Sequence, residues 1–247
     1  MSRMKTRKYF ISVVAGGTVF IAGLVLFAFV RTWGKTEIEF RIHINEELVR
    51  QSAFGESPTF AVWIEDPATK ETQTIFVTGR AGTGDWEGKA DVPVALPKWF
   101  EIKNAEEQAQ TKTARGIPGI DAVTGATPQP GYFTTRVEVV PGSQWNCYIE
   151  VNLAGDFNEY YQVYDDKLKT SDEYMTGQPA LLYKAEITAA VGRAAIPELI
   201  GMSILDHEGK NRIKPLEGIS TATDIFDEMK VWVRRPKPYL FLRNKGH

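Results

Sequence analysis

The feature that most constrains the fold is a strict alternation of polar and apolar residues from Glu37 to Asn45. The apolar members are Ile38, Phe40, Ile42 and Ile44, and the polar members are Glu37, Glu39, Arg41, His43 and Asn45. Because successive side chains of a β-strand point to opposite faces, this pattern predicts a half-buried strand of an antiparallel sheet. His43 falls on the polar face, where we expect a solvated imidazole.

Further short runs rich in β-branched and aromatic residues are separated by turn residues, which is typical of strands. Asp66 to Glu71 is predicted to join the next two strands as a hairpin, and Pro141 to Gln144 to join a second hairpin. So many short strands with little helix predict a mainly β protein, an antiparallel Ig-like β-sandwich. The predicted strands are Thr59 to Glu65, Gln73 to Thr78, Tyr132 to Val140, Asn146 to Leu153, Ala180 to Thr188 and Lys230 to Arg235.

Two short helices are expected beside the sheets. Asn104 to Ala114 is polar, as in an exposed helix. Glu217 to Met229 contains a string from Thr221 to Asp224 that resembles a capping box, followed by Ile225, Phe226 and Met229 on one helical face. The stretch 155–175 is rich in Asp, Glu and Tyr but lacks the regular ligand spacing of a calcium loop, so we predict a solvated loop.

Residues 80–131 form a long segment without clear periodicity, and such long loops usually carry a function or are disordered. Its large aromatic residues are Trp86, Trp99 and Phe100. We expect them to plug the core and hold the segment on the sheets. The alternative is a flat aromatic wall on which an isoalloxazine ring would stack.

An uncharged, mostly apolar run from Phe10 to Val30 precedes the predicted strands. At 1.5 Å per residue it reaches roughly 30 Å, the thickness of a bilayer core, so it predicts a transmembrane helix. The cations before it, at Arg3, Lys5, Arg7 and Lys8, predict a cytoplasmic N-terminus. The run is longer than the apolar part of a signal peptide and has no small-x-small site after it, which favours an uncleaved anchor.

The predicted organisation follows from this anchor. Residues 1–9 are cytoplasmic, 10–30 cross the membrane, 31–236 form an extracytoplasmic, periplasmic domain, and 237–247 are a basic tail. Trp33 lies where an interfacial aromatic residue is expected. The lipid bilayer is therefore the first predicted partner.

Charge and composition exclude several classes of function. A formal net charge of -2 argues against a nucleic-acid partner. The single cysteine, Cys147, is expected to be a buried, inert thiol in a strand, and the three histidines show no metal-ligand spacing. No serine lies in a nucleophile elbow and no histidine lies near a candidate nucleophile, so we predict neither a catalytic site for acyl transfer nor a metal site. A hydrolase with paired carboxylates stays open, although the sequence singles out no pair.

A second informative stretch is Asp121-Ala122-Val123-Thr124-Gly125-Ala126-Thr127, followed by Pro128-Gln129-Pro130-Gly131. Asp121 can hydrogen-bond the backbone two residues on, and Thr127 offers a hydroxyl at the end of the turn. Ala126 leaves room for an approaching molecule. For Gly125 we expect either a positive φ or a contact so close that a Cβ would clash.

This string resembles the acceptor motif of extracytoplasmic flavin carriers, in which a flavin transferase esterifies FMN through its phosphate onto the last threonine. The resemblance implies covalent FMN at Thr127, with Asp121, Thr124, Gly125 and Ala126 shaping the acceptor loop.

A wider resemblance, over residues 36–236, is to a family of predicted periplasmic proteins of unknown function (DUF2271). It rests on four strings, namely Thr127-Pro128-Gln129-Pro130-Gly131, Trp63-Ile64-Glu65-Asp66, Leu96-Pro97-Lys98-Trp99 and Gly177-Gln178-Pro179-Ala180-Leu181-Leu182-Tyr183.

Two functions from different classes follow as expectations. The first is a non-catalytic, membrane-anchored module that is accessory to membrane redox or flavin-transfer machinery. The second is a covalent FMN carrier, flavinylated at Thr127, that shuttles electrons. The corresponding partners are a membrane redox protein and a flavin transferase; an unrecognised enzyme or a sugar-binding role also stays open.

Overall fold

Two antiparallel β-sheets make up most of the computed structural model, which describes residues 17–30, 32–79, 81, 95–112, 124–166 and 169–238. The strands are β1 (Thr36–Ile44), β2 (Thr59–Glu65), β3 (Thr72–Thr78), β4 (Thr124–Gly125), β5 (Gly131–Val139), β6 (Gln144–Asn152), β7 (Tyr164–Asp165), β8 (Thr170–Ser171), β9 (Ala180–Thr188), β10 (Ala194–Ala195), β11 (Glu198–Leu205), β12 (Asn211–Lys214) and β13 (Phe226–Arg234). The helices are α1 (Glu46–Gln51), α2 (Pro97–Lys112) and a 3-10 turn (Thr221–Asp224). The prediction of a mainly β chain with few helices is confirmed.

The smaller sheet has the order β10-β13-β1-β5, and the larger one has the order β12-β11-β9-β6-β2-β3-β4. All pairings in both sheets are antiparallel except that of β4 with β3. The alternating stretch that begins the domain is β1, which lies between β13 and β5 in the smaller sheet. The hairpin predicted through Asp66 to Glu71 is the β2–β3 pair.

The two sheets share one apolar core, which makes the fold sandwich-like. Phe60 of the larger sheet lies 5.3 Å from the Phe133 ring and 5.4 Å from the Phe226 ring, both on the smaller sheet. The alternate apolar residues of β1 are fully buried in this core, as their spacing predicts. The other face of β1 is less solvated than expected, because the strand is central and Glu39 is buried between Arg136 and Arg234.

The second predicted hairpin is wrong. β5 and β6 are joined by the expected turn, but β5 pairs with β1 in the smaller sheet, whereas β6 pairs with β2 and β9 in the larger one. The connection therefore crosses from one sheet to the other. Periodicity assigns the inner face of each strand, but it does not tell which sheet the strand joins.

The helix predicted at Glu217 to Met229 is also wrong. Only Thr221–Asp224 forms a 3-10 turn, and β13 starts directly afterwards at Phe226. A register shift at His43/Ile44 of β1 adds one residue to β13, so Phe226 and Met229 both point towards the core although they are three residues apart. Apolar residues three positions apart are also typical of one face of a helix, which explains the wrong prediction.

Helix α2 forms a third layer on the outer face of the larger sheet. It begins at Pro97, seven residues before the predicted start at Asn104, and proline is favoured in the first helical turn. Trp99 and Ile102 on its inner side are buried against Trp63 and Leu182 of the sheet. The predicted exposed helix is thus correct in kind, but one of its faces is covered.

Residues 17–30 are helical, whereas residues 10–16 of the predicted membrane segment lie outside the described residues. Within the described ranges, no helix combines the length and the apolar character that a bilayer crossing requires.

Candidate functional site

The described part of the predicted acceptor loop starts as a short strand at the edge of the larger sheet. Thr124 and Gly125 form β4 and pair in parallel with Val77 and Thr78 of β3. Asp121 lies outside the described residues. The acceptor segment is therefore attached to the sheet from Thr124 onwards, and the chain then passes Ala126 and Thr127 on its way to β5.

Gly125 is used for close packing. A Cβ built on it would lie 2.5 Å from Cε2 of Phe76, and a Cβ on the facing Gly79 would lie 3.1 Å from the Gly125 carbonyl oxygen. Phe76 is itself 2% exposed and packs against Phe133 at 4.5 Å between ring centroids. Since Gly125 has no positive φ, the close-contact alternative of the prediction is the correct one.

Thr127 lies on the wall of a cleft of about 600 Å³, a volume within the range of small-molecule sites. Thr127 is partly buried and Ala126 is exposed, so the segment can be reached from solvent. The cleft is lined by Glu46, Val49, Arg50, Gly55, Glu56, Ser57, Thr59, Thr127, Gln129, Pro130 and Ala154.

Another part of the wall is supplied by α1, a helix that was not predicted from the sequence. The Asn45 side chain accepts a hydrogen bond from the Leu48 N–H at 3.2 Å and thereby caps this helix. Leu48 and Val49 anchor it in the core, so Arg50 is held at the cleft. Arg50 pairs with the exposed carboxylate of Glu47, whose pKa is lowered by a hydrogen bond from Gln51 and by the Arg50 charge.

Arg50 and Thr127 line the same cleft. An arginine there suits an anionic group such as a phosphate, because arginine binds phosphate oxygens through several N–H donors. Glu46 and Glu56 also line the cleft, so its charge is mixed. The arrangement can orient a phosphoester.

The aromatic wall considered for an isoalloxazine ring is not formed by Trp99. Its side chain is fully buried, and its indole N–H donates to Thr74 Oγ1 at 3.3 Å, so no ligand can stack on it. Phe100 is half-buried and packs against the same outer cluster. Trp86 lies outside the described residues. The expectation of core plugs is confirmed for Trp99.

The other residues considered for chemistry are either buried or in contact with neighbouring side chains. The Cys147 thiol is 1% exposed, and burial raises its pKa, as expected of an inert thiol. His43 Nδ1 lies 2.5 Å from Asp227 Oδ1 and its ring contacts Tyr132, so it is partly covered. Over the described ranges, no group of three or more His, Cys, Asp or Glu side chains could hold a metal ion.

The burial of two further carboxylates was not predicted from the sequence. Asp156, within the predicted solvated loop, accepts hydrogen bonds from Gln178 and Thr221 at 2.8 and 2.7 Å. Glu150 is completely buried under α2, and its burial raises its pKa to about 7. Neither has a sequence signal, because their burial depends on elements that are distant along the chain.

Comparison of the chain with protein-family models, with curated proteins and with solved structures gives no significant match.

Proposed function

We propose that this chain is a membrane-anchored, extracytoplasmic module with an Ig-like β-sandwich, accessory to membrane redox or flavin-transfer machinery. The observation that carries the proposal is the polarity of the domain along β1. The apolar N-terminal helix leads into Thr36 at one end of this strand, and α1 with Arg50 follows its other end. At about 3.3 Å per residue, roughly 26 Å separate the two ends.

This separation suits a domain that is anchored at one end and presents its cleft to a partner protein at the other. The helix would hold one end of the domain at the bilayer, while the cleft with Thr127 faces a partner at the other end. The mixed charge of the cleft and its exposed Gln129 are typical of the polar surface of a transient protein contact. The partner class is a membrane protein that carries or transfers flavin.

Site-specific photo-cross-linking in membranes of the native host tests this role. A cross-linking residue at Gln129 should capture an integral membrane protein with a redox cofactor, identified by mass spectrometry. The matched control is Thr69, which lies in the β2–β3 turn at the anchored end. Equal capture from both positions, or capture from neither, contradicts a partner-facing cleft.

One observation favours a second candidate, the covalent FMN carrier. Thr127 is accessible from a cleft that also holds Arg50, so the cleft has both an acceptor hydroxyl and a cation for the phosphate. In the transfer, which the flavin transferase would catalyse, Thr127 Oγ1 would form a P–O ester bond to the phosphorus of the FMN half of FAD. The diphosphate P–O bond to the AMP half would break, AMP would leave, and the proton of the Thr127 hydroxyl would pass to solvent. Gly125 and Ala126 leave the segment free of bulky side chains.

The carrier role predicts a mass increase of one FMN when the chain is made together with an active flavin transferase. The adduct should map to the peptide that contains Thr127 and survive denaturation, because an ester bond does not depend on the fold. Thr127→Ala should abolish the adduct, whereas Thr124→Ala and Asp121→Ala should only reduce it.

Ser57→Ala is the matched control for this experiment, since Ser57 offers another hydroxyl in the same cleft. It should leave the adduct intact. The transferase must be shown to be active on another substrate. If the wild-type chain then stays colourless and keeps its unmodified mass, the carrier role is ruled out. The non-catalytic accessory module remains.

A further inference from the structure

We infer that the end of the sandwich next to the N-terminal helix is itself a membrane-contact surface that binds anionic lipid headgroups. The inference rests on the proposed membrane anchor and adds to it a second contact, made by the folded domain. We call this end the anchor end and define it by residues 33–37, 139–143, 189–193 and 233–238.

Backbone pairing brings these four segments together. Glu37 of β1 pairs with Arg234 of β13, and Thr36 pairs with Val139 of β5. The remaining segment, 189–193, is joined to two of these segments by main-chain hydrogen bonds. Gly192 N–H donates to the Val233 carbonyl at 3.0 Å, and Gly142 N–H donates to the Ala189 carbonyl at 3.0 Å.

Three large apolar side chains at the anchor end are exposed on the surface rather than buried in the core. Trp33 is 83% exposed, Val140 is 71% exposed and Val191 is 53% exposed. They come from three different segments that converge on the place where the apolar helix leaves the domain. Exposed apolar side chains in such a position suit the interfacial layer of a bilayer, where tryptophan is enriched.

The same end carries a set of exposed cations. Arg193, Arg235 and Lys237 are exposed and have no carboxylate partner within the described ranges. Two more cations are held in place by internal pairs, since Lys35 donates to Glu138 at 2.7 Å and Arg234 donates to Glu39 at 2.5 Å. The acidic Glu37 is buried. Cations beside a membrane helix attract anionic lipids.

The charges also predict how the domain tilts. The β2–β3 turn of the larger sheet lies at the same end, because Glu65 pairs with Asn146, but this turn carries Asp66 and Glu71 as well. Anionic lipids repel these carboxylates. The edge formed by the smaller sheet should therefore lie against the headgroups, with the acidic turn raised above them.

A depth-quenching experiment on the full chain in vesicles tests this surface. The native Cys147 is buried and unreactive in the fold, so single cysteines can be labelled selectively with an environment-sensitive fluorophore. The reporter is Val191→Cys. The control is His207→Cys, in the turn between β11 and β12 at the opposite end of the sandwich. Vesicles of phosphatidylcholine with 30% phosphatidylglycerol carry spin-labelled headgroups as quenchers.

We expect quenching at position 191 to exceed that at 207 at least threefold, and to fall by half or more in pure phosphatidylcholine or in high salt. The triple reversal Arg193→Glu, Arg235→Glu and Lys237→Glu should produce the same loss. A matched triple reversal at the far end, of Lys169, Lys210 and Arg212 to Glu, should leave the quenching unchanged.

The outcomes distinguish the proposed membrane anchor from the proposed lipid-contact surface. If the chain stays with vesicles through an alkaline wash but positions 191 and 207 are quenched equally, the contact surface is refuted and the anchor stands. Quenching at 191 that does not depend on lipid charge refutes the anionic-lipid contact. Loss of the chain in the alkaline wash overturns both proposals.

Discussion

At the scale of single residues, the small-residue string at 124–127 has a packing reason that is independent of any ligand. Gly125 lets β4 lie directly on the Phe76 ring, which is wedged in the aromatic core. Ala126 is exposed, and Thr127 reaches the cleft. One glycine fixes the backbone, and the two residues after it are available to another molecule.

Gly125→Val should destabilise the fold by about 1–3 kcal/mol, since the added side chain overlaps a ring that cannot move without disturbing Phe60 and Phe133. The measurement is the free energy of unfolding by urea, with an unchanged m-value as the sign of two-state behaviour. Ala126→Val, one residue on and exposed, is the control and should change stability by less than about 0.5 kcal/mol. A fully stable Gly125→Val variant means that β4 is not held on β3.

At this scale the sequence predicted the close approach at Gly125 and the burial of Cys147 and Trp99. It did not predict that Arg50 and Thr127 line the same cleft. The two are far apart along the chain, and only the connection of α1 to the end of β1 brings the guanidinium to the cleft. Sequence spacing carries no information on which distant residues line one cleft.

At the scale of elements, hydrogen bonds to two carboxylates hold α2 on the larger sheet. Glu150 of β6 accepts the backbone N–H groups of Lys98 and Trp99 at 3.0 and 2.6 Å, so a strand residue caps the helix start. Glu106, on the helix, accepts from the Thr74 backbone N–H and hydroxyl at 2.8 and 2.9 Å. Glu150 lies between Ala61 and Leu182 in the ladder, which explains its apolar surroundings.

The pKa of Glu150 is raised to about 7 by burial, against the opposing effect of its hydrogen bonds from Ser203, Lys98 and Trp99. The unfolded chain therefore loses this proton near pH 4.5 and the folded chain only near pH 7, so stability should fall as the pH rises between these values. The contribution of this one group is at most about 1.4 kcal/mol per pH unit.

Glu150→Gln should make that fall shallower, as measured by urea unfolding at half-unit steps from pH 4 to pH 8. Part of the slope should remain, because burial also raises the pKa of Glu106 and of Asp156. Identical slopes in the wild type and the variant contradict a proton that is retained at Glu150.

Among the elements, β1 was predictable from its clean alternation, and β2 and β3 were predictable from their β-branched and aromatic residues. The failures coincide with irregular registers. The shift in β13 made a strand look helical, and a second shift between Leu199 and Gly201 removed the alternation from β11, for which we had no prediction. A bulge changes the side-chain period locally, so a pattern of period two misses it.

At the scale of the whole molecule, the fold consists of two sheets around one core and a helix on the outer face of the larger sheet. Composition and turn spacing predicted the sheets. The distribution of β5 and β6 between them was not predictable, because it depends on long-range pairing with β1 and β2.

The proposed orientation makes a topological prediction. Fused to the C-terminus, alkaline phosphatase, which folds actively outside the cytoplasm, should be active, and a fluorescent protein that matures only in the cytoplasm should stay dark. The reason is the excess of cations before the apolar run. The opposite pair of signals places the domain in the cytoplasm and removes the anchor proposal with it.

The central position of β1 has a mechanical consequence. Its hydrogen bonds to β13 and to β5 run along almost its whole length, from Glu37 to Ile44 on one side and from Thr36 to Ile44 on the other. In the proposed arrangement, a pull on the N-terminal helix that is resisted by a partner at the cleft would act along this strand. Both ladders are then loaded in shear, so that many hydrogen bonds share the force and must break together. The geometry that joins the two ends of the domain also makes it a stiff tether under tension.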